Sequence, residues 1–140
     1  MVPPITRLTD GEYASLLAVR AELRRFLRWS EEQAATVGLT PAQHQLMLAI
    51  RGHPDSRGPS VRELADYLST RHHSAVQLID RAEQLGLVTR HREDSNDRRI
   101  VRLTLTKAGN EKLTQLSTTH LEELQRLATL IHAVIDPTTT

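Results

Sequence analysis

Apolar side chains recur at three- and four-residue spacing through Leu16, Val19, Leu23, Phe26 and Leu27. That is the period of a helix with one apolar face. Asp10 reads as its N-cap, with Glu12 in the first turn, and Gly38 as its stop, so a helix is expected over Asp10 to Val37. Arg20, Arg24, Arg25 and Arg28 lie among the apolar positions and are expected to snorkel or to face solvent. Thr40-Pro41 then opens a second helix, with threonine as cap and proline in its favoured first position. That helix runs through Leu46, Met47 and Ile50 and ends near Gly52. His53 to Pro59 carries two prolines and a glycine and reads as a loop.

Ser60 and Glu63 have the spacing of a capping box and start a short helix, Val61 to Leu68. After a break at Ser69-Thr70 a longer helix is expected from about Arg71 to Gln84, closed by Gly86. The period then changes. Val88 to Arg92, and Ile100, Val101, Leu103 and Leu105, read as two strands around a polar tip, Glu93 to Asp97. The tip has Asx-turn chemistry but no glycine, so a hairpin loop longer than two residues is expected. Thr106 caps a last long helix over about 107–135, whose apolar stripe includes Leu113, Leu116, Leu124, Leu127, Ile131 and Val134.

A two-turn helix, a tight turn, a longer helix and a hairpin form the order of a winged helix-turn-helix. A plain bundle has no reason to insert a charged hairpin between amphipathic helices. The expected fold is therefore mainly α with a small β-hairpin wing (α+β). A chain of 140 residues suits a single domain. Within it, 40–106 is the winged module, with the wing over about 88–105, and 10–38 and 107–135 are flanking helices for dimerisation. Two such helices carry more apolar stripe than so small a module can cover.

Composition narrows the function. With no cysteine, disulfides, thiolate metal sites and thiol redox sensing are excluded. No apolar run approaches a membrane span and no signal-peptide pattern opens the chain, so a cytoplasmic protein is expected. The net charge is only +1, but residues 57–107 hold ten Arg/Lys against seven Asp/Glu. That surplus is a modest footprint for phosphates. The seven histidines are scattered without zinc spacing, so neither metal nor cofactor is expected. No catalytic triad order or phosphate-cradling glycine loop is present, and an enzyme is not expected. A winged helix that binds protein instead of DNA is the alternative, favoured by the low net charge and opposed by the arginines of the wing.

Three stretches carry a family resemblance: Val61-Arg-Glu-Leu-Ala-Asp-Tyr-Leu68, Leu78-Ile-Asp-Arg-Ala-Glu-Gln-Leu-Gly-Leu-Val88, and Asp94-Ser-Asn-Asp-Arg-Arg-Ile-Val-Arg-Leu-Thr-Leu-Thr-Lys-Ala-Gly109. They resemble the multiple-antibiotic-resistance regulator (MarR) family of winged-helix repressors. The resemblance implies a homodimer with interlocked terminal helices and two modules reading a pseudo-palindrome in double-stranded DNA. It also implies release by a small-molecule effector, often aromatic and anionic, held in a cleft. Trp29, His44 and Met47 are the residues taken to line that cleft.

In the module, Arg71, His72, His73, Ser74 and Gln77 are the candidates for reading bases, since Arg pairs with guanine and Gln with adenine. In the wing, the resemblance has Asp97 orient Arg99 toward the minor groove. Arg92 and Arg98 are candidate phosphate contacts. One departure is plain. Where the family has Gly-Val-Ser-x-Ser-Thr-Val, this chain has Ser69-Thr-Arg-His-His-Ser-Ala75, so side-chain capping is expected to shift to Ser69 or Thr70.

Overall fold

Among the described residues of the computed structural model seven elements follow one another: α1 (Asp10–Thr36), α2 (Pro41–Arg51), α3 (Val61–Tyr67), α4 (His72–Gln84), β1 (Val88–Ser95), β2 (Arg98–Leu105) and α5 (Lys107–Ile135). The structure describes residues 7–95 and 98–136, without the side chains of residues 94, 95, 98 and 99. This is the expected winged helix, five helices and one antiparallel hairpin. Two compact units divide it, one formed by residues 31–118 and the other by 1–30 with 119–140.

Local chemistry sets the helix starts. Thr40 and Gln43 form a reciprocal capping box at α2, and Ser60 and Glu63 form another at α3. The start of α1 differs from expectation. Thr9, not Asp10, caps it, because the Thr9 hydroxyl accepts from the Glu12 amide while the Glu12 carboxylate accepts from the Thr9 amide. The threonine and glutamate three apart are the same box that was legible at Ser60.

Three helix ends share one geometry. After α1, α3 and α4 the amide of the first residue beyond the cap bonds back to Ala35, Asp66 and Glu83, and the next amide to Ala34, Ala65 and Ala82. Each such end needs a residue in the left-handed region. Gly38 and Gly86 supply it at φ 78° and 74°, whereas α3 ends on Ser69 at φ 50°. A β-carbon there costs about 1–2 kcal/mol, and glycine returns part of that gain by loosening the unfolded chain. Ser69→Gly should therefore raise stability by about 0.5–1 kcal/mol, read as a higher thermal midpoint.

In the unit of residues 31–118, Leu46, Met47, Leu64, Ile79 and Leu103 are fully enclosed. Two glycines let backbones approach closely. A β-carbon on Gly58 would sit 1.9 Å from the Leu103 carbonyl oxygen, and one on Gly109 would sit 2.1 Å from that of Leu87. The second contact explains the Leu-Thr-x-x-Gly run. Thr106 caps α5 by accepting from the Gly109 amide and donates its hydroxyl to the Gly86 carbonyl at 2.6 Å. The wing's exit, the end of α4 and the start of α5 are thereby tied at one point.

The hairpin corrects an expectation. Pairing continues out to Ser95↔Arg98, so Glu93 belongs to β1 and only two residues, Asn96 and Asp97, join the strands. The ladder thus runs further toward the tip than the polar sequence suggested, because strand pairing there is set by the backbone register and not by apolar side chains. The hairpin also gains a short third edge, since Ser60 bridges to Arg102 and the Leu103 amide donates to Pro59 at 2.9 Å.

The other unit is thin. Among its described residues only His120 and Leu127 are buried, while Leu16, Leu17, Leu121 and Leu124 are each close to half exposed or more. His120 is held by Ser30 Oγ at 2.8 Å from Nε2 and by the Trp29 ring, whose centroid is 4.7 Å away.

Candidate nucleic-acid interface

Helix α4 has two clean faces. Ala75, Ile79 and Ala82, four and three apart, are fully buried, and Arg71, His72, His73, Ser74 and Gln77 are all exposed. The sequence candidates for base reading thus share one solvent-facing surface at the start of the helix. Capping by Ser69 or Thr70 does not occur. Ser69 is used to close α3, and the N-cap is Arg71, extended at φ −71° and ψ 151° with no side-chain cap. The first-turn amides of α4 are left without a side-chain acceptor, as suits an approaching anion.

The wing is braced from two sides. On one, the Arg90 guanidinium donates to Glu83 at 2.6 Å and also pairs with Asp80, joining β1 to α4. Its hydrogen bond to Asp80 strengthens the proton affinity of Arg90 further. On the other, Arg102 donates to Glu93 at 2.5 Å and to the Gly58 carbonyl at 3.0 Å. Arg57 pairs with Glu93 and, at 2.7 Å, with Asp55. The hydrogen bond from Arg102 holds the Glu93 carboxyl below its usual range, and that from Arg57 does the same for Asp55. Both carboxylates therefore favour the charged form more than a free carboxylate does, and the loop before α3 stays tied to the wing.

This pairing sorts the basic residues of the module. Arg57, Arg90 and Arg102 are committed to internal acids. Arg62, Arg71, Arg81, Arg92 and Lys107 are exposed and make no ion pair with a described side chain. Arg92 lies on β1 of the wing, exposed to solvent. Asp97 lies outside the described residues, and of Arg98 and Arg99 only the backbone is described, opposite Ser95 and Asp94.

Two of the three cleft candidates are enclosed within the unit of residues 31–118. Met47 has no exposed surface and belongs to the core, His44 is buried in α2, and Trp29 lies in the other unit against His120. Sequence reasoning missed Arg90. Its only signal was an Asp and a Glu three apart on a helix, followed by an arginine on the next strand.

Among the described residues no three His, Asp or Glu side chains converge as a metal site, and no helix is long and apolar enough to cross a membrane. The sequence profile of the MarR family matches residues 37–100, which span the second helix, both helices of the helix-turn-helix and most of the wing. The winged module is similar to that of the MarR family. MarR proteins are transcriptional regulators and not enzymes. No curated protein sequence matches the chain significantly.

Solved MarR structures match well beyond that module. AbsC, a MarR family transcriptional regulator from Streptomyces coelicolor, is 20% identical with a TM-score of 0.71, over 96% of this chain and 95% of AbsC. Apo MarR from E. coli is 20% identical with a TM-score of 0.62, over 91% of this chain and 85% of its own. The F27L mutant of S. aureus MepR, bound to an oligodeoxyribonucleotide, is 17% identical with a TM-score of 0.65, over 88% and 84%. At these identities the likeness establishes the MarR regulator fold.

Proposed function

We propose that the chain is a homodimeric transcriptional regulator that binds a pseudo-palindromic operator in double-stranded DNA. The observation that carries this reading is the exposed face of α4, where Arg71, His73, Ser74 and Gln77 make no ion pair with a described side chain and stand beside a braced wing. In the bound state α4 lies in the major groove, with Arg71 and Gln77 at base edges and His72, His73 and Ser74 at bases or phosphates. Arg92 and Arg98 contact phosphates of the strand under the wing, and Arg99, set by Asp97, enters the minor groove. The MepR complex with an oligodeoxyribonucleotide supports the role by analogy of fold.

The dimer rests on a physical argument. The described residues of the unit formed by 1–30 and 119–140 bury almost nothing of their own, yet expose Tyr13, Leu16, Leu17, Leu121 and Leu124. Apolar surface on this scale marks an interface. A second copy gives the two-fold symmetry that paired half-sites require. Repression relieved by a small, anionic effector, and a cytoplasmic location, complete the reading and rest on the resemblance alone; of the three cleft candidates Trp29 is the one kept as an effector contact, since His44 and Met47 are enclosed.

Binding to a labelled random-sequence duplex pool tests this at rising salt, with the mass of the protein measured in parallel. A dimer whose affinity falls steeply and linearly in log–log form is expected. A monomer, or a chain that retains no duplex at low salt, would overturn it.

A further inference from the structure

The exposed face of α4 contains an acid where a nucleic-acid reader should have none. Asp80 lies three residues beyond Gln77 and seven beyond His73, so all three share one helical face. Its side chain is 50% exposed, and Glu83, one turn further on, is 42% exposed. Left alone, two carboxylates beside Gln77 would repel the phosphates flanking any base that Gln77 reaches. Arg90 answers both. From β1 its planar guanidinium spans the two acids, one nitrogen on Asp80 and another on Glu83 at 2.6 Å.

We infer that Arg90 is a charge-masking residue for DNA reading: it neutralises Asp80 and Glu83 on the reading helix without itself touching DNA. The inference rests on the proposed DNA-binding function. Its geometry gives three reasons. Arg90 is the described side chain that links β1 to α4 through ion pairs. Two acids on successive turns demand a forked donor, which arginine supplies and lysine does not. Arg90 is also only 29% exposed, whereas Arg81 and Arg92 nearby are exposed and unpaired among the described residues. Exposed arginines such as these, with Arg98 of the wing, are left for phosphate contact, and masking falls to Arg90.

Charge rescue tests the assignment on the full-length protein, with affinity measured for sequences that the wild type enriches from a random duplex pool. Arg90→Ala should weaken binding about tenfold or more at low salt, because two like charges then face the phosphates. Adding Asp80→Asn and Glu83→Gln to Arg90→Ala should restore affinity to within about twofold and return the wild-type salt slope. Arg90→Lys should fall between wild type and Arg90→Ala.

Thermal unfolding confirms that each variant is folded at the assay temperature, and Asp80→Asn/Glu83→Gln alone serves as a control that should bind at least as well as wild type. A triple variant as weak as Arg90→Ala, with its salt slope lower by about one, would mean that Arg90 contacts a phosphate directly. Unchanged binding by Arg90→Ala would remove the residue from the mechanism. Failure of the wild type to enrich or bind any duplex would instead overturn the DNA-binding function, and this inference with it.

Discussion

Gly58→Ala will destabilise the winged module by about 3–5 kcal/mol, the sum of backbone strain and overpacking. Gly58 sits at φ 93°, where an L-residue is strained, and its β-carbon would lie 1.9 Å from the Leu103 carbonyl oxygen. Neither side can yield. Leu103 is fully buried in β2, its amide is bonded to Pro59, and the Gly58 carbonyl accepts from Arg102 at 3.0 Å. Gly86→Ala is the control, since Gly86 has φ 74° but nothing within 4 Å of an added β-carbon. It should cost about 1–2 kcal/mol, the conformational term alone. Urea unfolding of both variants checks this, and equal losses would show that the close approach to the wing is not what matters.

Leu17→Glu combined with Leu121→Glu will split the proposed dimer and abolish operator binding, although both leucines are more than half exposed in the single chain. Were the chain a working monomer, such surface changes would shift stability by no more than about 0.5 kcal/mol. In a dimer each lost leucine removes about 1.5–3 kcal/mol of burial on each copy, so dissociation should rise by well over a hundredfold. Sedimentation at micromolar concentration reads the mass directly. A double variant that stays dimeric would place the interface elsewhere.

Features decided by neighbours in sequence were the legible ones. The cap at Thr40, the capping box at Ser60 and the stops at Gly38 and Gly86 all depend on residues a few positions apart. Even there, Asp10 drew attention from the Thr9–Glu12 box that starts α1. Features decided across the fold were not legible. Arg90 looks like one more basic residue until β1 is seen to run beside Asp80 and Glu83, and Arg57 and Arg102 look free until the wing meets its loop. For that reason the surplus of positive charge read from residues 57–107 overstates what is available: three of its ten cations serve the fold.

The central claim is that the exposed face of α4 reads bases. Sequence profiles selected from random duplex DNA by the wild type and by Gln77→Ala test it most directly. Gln77 is exposed and carries no buried contact whose loss would confuse the outcome. The account predicts a pseudo-palindrome with half-site centres about 34–36 Å apart for the wild type. For Gln77→Ala it predicts lost preference at one position in each half-site, with the remaining positions kept. Identical profiles for the two proteins would contradict it.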